Sequence, residues 1–224
     1  MKKIIGTVTI GQSPRVDVIP EIASLIGEDV EIREAGALDG LTRKEIDAMA
    51  PVRGDYVLVT RLADGSSVQV AERFITPRIT EKIQGHFQNG IPLVLLLCTG
   101  EFPGFDTAGL LIRPQKVLYN AVAAVAEGQR LGILTPSAEQ VEQSEHRWST
   151  IGKAVRAVPS SPYADAMDAA AAAARKLKEW GVHLTVLDCI GYTLEMQRLV
   201  REITGRPVVL ARGIVARTVA ELIG

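Results

Sequence analysis

The sequence predicts an α/β protein of two pseudo-symmetric lobes, each a parallel sheet flanked by helices. Three observations predict it. Strand-length apolar runs alternate with helix-length segments along the whole chain. The run from Ile91 to Leu97 is apolar apart from its proline, as in a strand buried on both faces. Landmarks of the first half also recur in the second, in the same order.

In chain order, Ile4 to Ile10 reads as a strand and Asp17 to Ile26 as a helix. Val30 to Glu34 is a second strand. Thr42, with Glu45 three residues on, has the pattern of a capping box and starts a short helix. Asp55 to Thr60 is a strand, Asp64-Gly65 a turn, Val70 to Asn89 a long helix and Ile91 to Leu97 a buried strand. The second half continues with strands near Arg130 to Leu134, Ala154 to Val158, Leu184 to Leu187 and Val208 to Leu210. The alanine-rich stretch Ala164 to Trp180 is helical by propensity, and Ile214 to Leu222 closes the chain as a helix.

The repeat is specific. Gly6-Thr7-Val8-Thr9 matches Gly132-Ile133-Leu134-Thr135, and Ile26-Gly27 matches Ile151-Gly152. Gly90 stands eight residues before Cys98, and Gly181 eight before Cys189. Both cysteines sit in Cys-x-Gly, as Cys98-Thr99-Gly100 and Cys189-Ile190-Gly191. Glycines at helix ends and apolar strands are common to α/β chains. They do not explain why the chain's two cysteines share one offset. The period is far too long for a solenoid and suits two similar lobes packed face to face.

Composition narrows the function classes. The 25 basic and 26 acidic residues leave a net charge of -1, so no basic field draws nucleic acid. No run of about 18 apolar residues predicts a membrane span. The opening Met1-Lys2-Lys3-Ile4-Ile5 reads as a strand entering a loop and not as a signal peptide, which makes the cytoplasm the expected location. Two cysteines form no disulfide framework. His86, His146 and His183 make no metal pattern, no phosphate loop or dinucleotide fingerprint is present, and no cofactor is expected.

Ligands of parallel sheets bind beyond the carboxyl ends of the strands. Cys98 and Cys189 close their strands there and are the candidate catalytic residues. A helix N-terminus after each would favour thiolate. Thr99, Gly100, Ile190, Gly191 and Tyr192 are candidate substrate contacts in the loops that follow. After the first strand, Thr9, Gly11, Gln12, Ser13 and Arg15 offer hydroxyl, amide and charged donors, and their counterparts are Thr135 and Ser137. Arg61 is a further candidate. The plainer reading of Ser13-Pro14 is a helix cap with proline at the first helical position. Asp188 stands evenly between a buried structural role and a ligand contact.

Thr9-Ile10-Gly11-Gln12-Ser13-Pro14-Arg15, Leu38-Asp39-Gly40-Leu41 and Leu187-Asp188-Cys189-Ile190-Gly191-Tyr192 resemble the AroM family over essentially the whole chain. More distantly, the duplicated lobes with one cysteine each resemble the aspartate/glutamate racemase superfamily. That resemblance implies a first lobe of residues 1–100 with 207–224 returning to it, and a second lobe of 101–206. It also implies that one thiolate, Cys98 or Cys189, removes an α-proton and the opposite thiol returns one. The residues beside the cysteines differ from the racemases', which usually read Cys-Asn-Thr at the first cysteine and Gly-Cys-Thr at the second. Groups that would hold an amino-acid ammonium are thereby absent.

The expected activity is that of a cofactor-independent isomerase or racemase-like enzyme. It would act next to a carboxylate or amide carbonyl of a small anionic metabolite, through partly accessible thiols. The alternative is a non-catalytic protein that binds a small carboxylate. Neither a nucleic-acid nor a membrane partner is expected, and assembly into a homo-oligomer is left open.

Overall fold

A computed structural model describes residues 3–27 and 29–224; Met1 and Lys2 of the opening segment lie outside the described residues. The chain divides into two compact units, Met1–Gln115 with Ala216–Gly224, and Lys116–Val215.

The first unit holds a four-stranded parallel sheet built from β1 (Lys3–Thr9), β2 (Val30–Gly36), β5 (Leu93–Leu97) and β6 (Leu110–Ile112), in the order β2-β1-β5-β6. Helices α1 (Ile19–Ile26), α2 (Arg43–Asp47) and α3 (Glu72–Gln88) join its strands. The capping box at Thr42 and Glu45 forms as the sequence predicts. A separate antiparallel hairpin, β3 (Val57–Arg61) and β4 (Ser67–Ala71), turns at Asp64-Gly65, with Gly65 at φ +86. The expected long helix therefore begins at Glu72, and Ser67 to Ala71 is strand. Its Ser-Val-Gln-Val alternation has the two-residue period of a strand once the turn pairs it with β3.

The second unit repeats the plan. Strands β7 (Arg130–Thr135), β8 (Ala154–Pro159), β9 (Leu184–Leu187) and β10 (Val208–Leu210) pair in parallel in the order β10-β9-β7-β8. Read from β8, this is the strand order of the first sheet. Helices α4 (Pro114–Ala126), α5 (Val141–Trp148), α6 (Ala166–Trp180) and α7 (Leu194–Thr204) complete the unit. From α4, Leu118, Val122 and Ala126 pack with Leu131, Ile133 and Val186 on one face of the sheet. From α6, Ala170, Ala173, Ala174 and Leu177 pack with Leu134 and Leu187 on the other. The last helix, α8 (Ala211–Ile223), passes from the second unit into the first at Ala216.

The register repeats with the strand order. Gly6 pairs with Val94, four residues before Cys98, and Gly132 pairs with Thr185, four before Cys189. On the other side Gly6 pairs with Arg33 and Gly132 with Arg156. Parallel pairing thus delivers both cysteines to the same place, one or two residues past the end of a central strand.

Three expectations are corrected. The expected first lobe ends at residue 100 and resumes at Pro207, but β6 pairs with β5 and β10 with β9, so the first unit runs to Gln115 and resumes at Ala216. The first helix starts at Ile19 with Val18 at its cap and not at Ser13-Pro14, because the side chain and N–H of Ser13 are taken by Asp39. The connection from Cys98 to β6 carries no helix, so a helix N-terminus follows only Cys189, where Thr193 caps α7.

Gly6 and Gly132 are glycine for space. A Cβ at Gly6 would lie 2.8 Å from the His86 ring, and one at Gly132 2.7 Å from Leu177. G6A and G132A are each expected to destabilise the protein by about 1–3 kcal/mol through overpacking. Urea unfolding monitored by circular dichroism measures both, and an unchanged midpoint in either would show that the helix behind that strand gives way freely.

Candidate functional site

In the first unit the expected residues gather at the carboxyl edge of the sheet. Thr9, 1% exposed, ends β1 beside Leu97, and its carbonyl accepts from Ala37 N at 2.9 Å. Its hydroxyl oxygen accepts from Gly11 N at 3.2 Å and Arg15 Nη1 at 3.0 Å. Arg15 is buried and forks onto Asp17, with both contacts at 2.8 Å. Burial raises the Asp17 pKa, but the hydrogen bonds and charge of Arg15 outweigh it, helped by Arg61, and hold the carboxyl below its ordinary range.

The backbone donors expected to receive an external anion are largely engaged within the chain. The Asp39 carboxylate accepts from Ser13 N, Ser13 Oγ and Gly36 N, each at 2.7 Å. Gln12 N donates to Arg61 O, its side-chain oxygen accepts from Ala63 N at 2.9 Å, and its amide nitrogen reaches Leu38 O. Gly11 presses on the hairpin so closely that a Cβ would lie 2.4 Å from Arg61 O. The first-strand loop and Leu38-Asp39-Gly40-Leu41 are therefore one hydrogen-bonded cluster, with Asp39 supplying the carboxylate from inside.

The same local geometry surrounds both thiols. Gly100 N donates to Cys98 Sγ at 3.3 Å, and Gly191 N donates to Cys189 Sγ at 3.4 Å. A Cβ at Gly100 would lie 2.6 Å from Leu58 Cδ2, and one at Gly191 2.9 Å from Pro162 and Tyr163. Each loop folds tightly back over its own sulfur. Both cysteines are buried, with Cys98 9% and Cys189 7% exposed, each within its unit's apolar core. The expected partial accessibility is not observed, because these loops close over the sulfurs. Thr99 and Ile190 are buried too, while Gly100 is half-buried.

In the second unit Thr135, 3% exposed, ends β7 as Thr9 ends β1, and its carbonyl accepts from Ser160 N at 2.8 Å. Ser137 starts the 3₁₀ turn Ala138–Gln140 without a side-chain cap, and its buried hydroxyl has no hydrogen-bond partner. Tyr192 belongs to the apolar core of the second unit. Its ring is fully buried and its hydroxyl donates to Ser160 O. Burial, reinforced by Cys189, holds the phenol protonated far above its usual range. Asp188 takes the structural role, accepting from Arg147 Nη2 and from Trp148 Nε1 at 2.8 Å.

Sequence reasoning missed Arg212. It is 1% exposed, and donates through Nε to Ile190 O at 2.9 Å and through Nη2 to Gly191 O at 3.1 Å. The available signal was one cation inside the apolar stretch Val208 to Ala216, a setting in which a charge has to be paired. In the first unit Arg113 similarly donates to Phe102 O in the loop after Cys98. Among the described residues, no three His, Cys, Asp or Glu side chains gather as a metal would need. No helix among them is long and apolar enough to cross a membrane.

A family model described as AroM protein matches residues 5–223. The chain belongs to the AroM family. No curated protein matches it. Solved structures share the fold of this AroM chain at low identity. Allantoin racemase from Klebsiella pneumoniae is 17% identical, with a TM-score of 0.63 over 99% of this chain and 87% of that one. An unliganded arylmalonate decarboxylase is 14% identical, with a TM-score of 0.61 over 99% and 93%. The maleate isomerase Iso from Pseudomonas putida S16 is 13% identical, with a TM-score of 0.55, also over 99% and 93%. The AroM chain thus has the fold of aspartate/glutamate racemase-like proteins.

Two outcomes test the first-unit cluster. Asp39→Asn leaves Ser13 and Gly36 donors poorly matched and is expected to cost about 1–3 kcal/mol in urea unfolding; an unchanged midpoint would show that the cluster contributes nothing to the fold. For Arg15–Asp17, the folded-state pKa of Asp17 lies below its unfolded value near 3.8. Its contribution is therefore complete above that value and lost as pH falls through the folded one. The stability gap between wild type and Asp17→Asn should be constant at neutral pH and narrow below about pH 4. A gap that persists unchanged in acid would contradict the pairing.

Proposed function

We propose that this AroM chain is a cofactor-independent racemase- or isomerase-like enzyme. It moves a proton at a carbon next to a carboxylate or amide carbonyl of a small anionic metabolite, with Cys98 and Cys189 as its two acid–base groups. One observation carries the reading: the same thiol setting is built twice, at one register, with an N–H on each sulfur. Packing alone asks for no such repetition. The racemase, decarboxylase and isomerase names among proteins of this fold support the reaction class.

The chemistry balances without a cofactor. A thiolate takes the proton from carbon, and the electron pair moves into the adjacent carbonyl as an enolate. The second thiol then protonates carbon from the other face, and the two sulfurs exchange protonation states with each turnover. An N–H directed at each sulfur favours its thiolate form when that form is required. The Thr9 hydroxyl accepts from Gly11 and Arg15 and keeps its own proton for a developing oxyanion.

The burial of both thiols favours a second reading, a binding protein for a small carboxylate in which the cysteines only pack. Solvent-deuterium exchange into a panel of amino acids, hydantoins and 2-substituted diacids separates the two. The enzyme reading expects exchange and inversion of at least one compound. It also expects Cys98→Ser and Cys189→Ser each to abolish inversion, while either keeps exchange with one enantiomer. Full activity in both folded variants would assign the cysteines to packing.

A further inference from the structure

The loop after Cys189 has a feature that neither its register nor its glycine accounts for. Ile190 C=O and Gly191 N–H belong to one peptide plane, and in a trans peptide they point in opposite directions. Arg212 Nε holds the carbonyl end at 2.9 Å, and Cys189 Sγ receives the N–H end at 3.4 Å. The second arm of the guanidinium takes Gly191 O at 3.1 Å, fixing the next plane, whose Tyr192 N donates back to Cys189 O at 3.4 Å. A buried cation, an amide and a sulfur therefore stand in series.

We propose that Arg212 is a positioning residue for Cys189. It locks the Gly191 N–H onto the sulfur and polarises that amide, so that the thiolate form is populated at a lower pH than the loop alone would allow. The guanidinium fork suits the task because it spans two successive carbonyls from one rigid plane, which an ammonium cannot do. A cation on the carbonyl draws electron density through the amide and strengthens the N–H as a donor. That Arg212 serves proton transfer rests on the function proposed above; that it governs the titration of Cys189 does not.

Other groups around Cys189 also carry charge or titrate. Asp188 precedes it and is paired with Arg147 from α5. Tyr192 is in its own loop, and Tyr163 lies against Gly191. Tyr192 is held protonated, and the Asp188–Arg147 pair is closed by Trp148. Arg212 is the cation whose hydrogen bonds run into the peptide that serves the sulfur.

The chain's two cysteines make the test clean, since Cys98→Ser leaves Cys189 as its only thiol. Thiolate absorbance at 240 nm is followed against pH in Cys98→Ser, with the variant lacking both cysteines subtracted. Adding Arg212→Gln, which keeps an amide donor but no charge, is expected to raise the Cys189 midpoint by about one pH unit or more. Adding Arg212→Lys should give a smaller rise. In Cys189→Ser, where only Cys98 titrates, Arg212→Gln should leave the midpoint unmoved. An unshifted Cys189 midpoint in a folded Arg212→Gln protein overturns the proposal, as does an equal shift at Cys98. Should Arg212→Gln not fold, Arg212→Lys decides alone: a raised Cys189 midpoint supports the assignment and an unchanged one overturns it. The readout needs no substrate, so its failure and a failure to find activity are separate results.

Discussion

Parallel pairing of a glycine-bearing first strand with the fully buried strand that runs to a cysteine is the constraint on which each unit depends. Gly6 and Gly132 each sit opposite a residue four positions short of a cysteine. Neither glycine can carry a side chain, because His86 in one unit and Leu177 with Val182 in the other fill the space. A shift of one residue would turn the strand's side chains to the opposite face, so the register is closely specified. With it fixed, the cysteine, the threonine ending the first strand and the loop glycine fall where they do. The repeated setting of the sulfurs follows from the repeated register.

The units then diverge in what holds their loops. In the first, the chain returns upon itself: Asp39 closes the loop after β1, and the β3–β4 hairpin braces it through Gln12 and Gly11. In the second, buried charged side chains hold the loop after β9, as Arg113 also reaches the loop after Cys98 in the first. Asp188 is tied to Arg147 and Trp148, and Arg212 forks onto the carbonyls after Cys189. Breaking a buried charge pair by removing one partner leaves the other uncompensated and is costly.

Much of this was legible in the sequence because it depended on periodicity and repetition. Apolar runs marked the central strands, Thr42 and Glu45 marked a helix start, and the equal offsets of Cys98 and Cys189 marked the duplication. The unread features depended on tertiary partners. Ser67 to Ala71 becomes strand only because a turn brings it against β3. Ser13 resembles a helix cap until Asp39, 26 residues away, takes both its donors. Tyr192, beside a cysteine in a loop, looked like a ligand contact and is instead a core residue anchored to Ser160. Val208 to Leu210 reads as strand, but no local signal says which sheet a three-residue strand joins.

The proposed function requires that Cys98 and Cys189 serve one ligand and do not merely pack. The most direct measurement is protection of each thiol from alkylation by a small carboxylate or hydantoin. Labelling at the two positions would be resolved by peptide mass spectrometry across a ligand titration. Protection of both cysteines with one half-saturation concentration is the expected result. Labelling of both that no ligand slows, and that tracks global unfolding in urea, would contradict it.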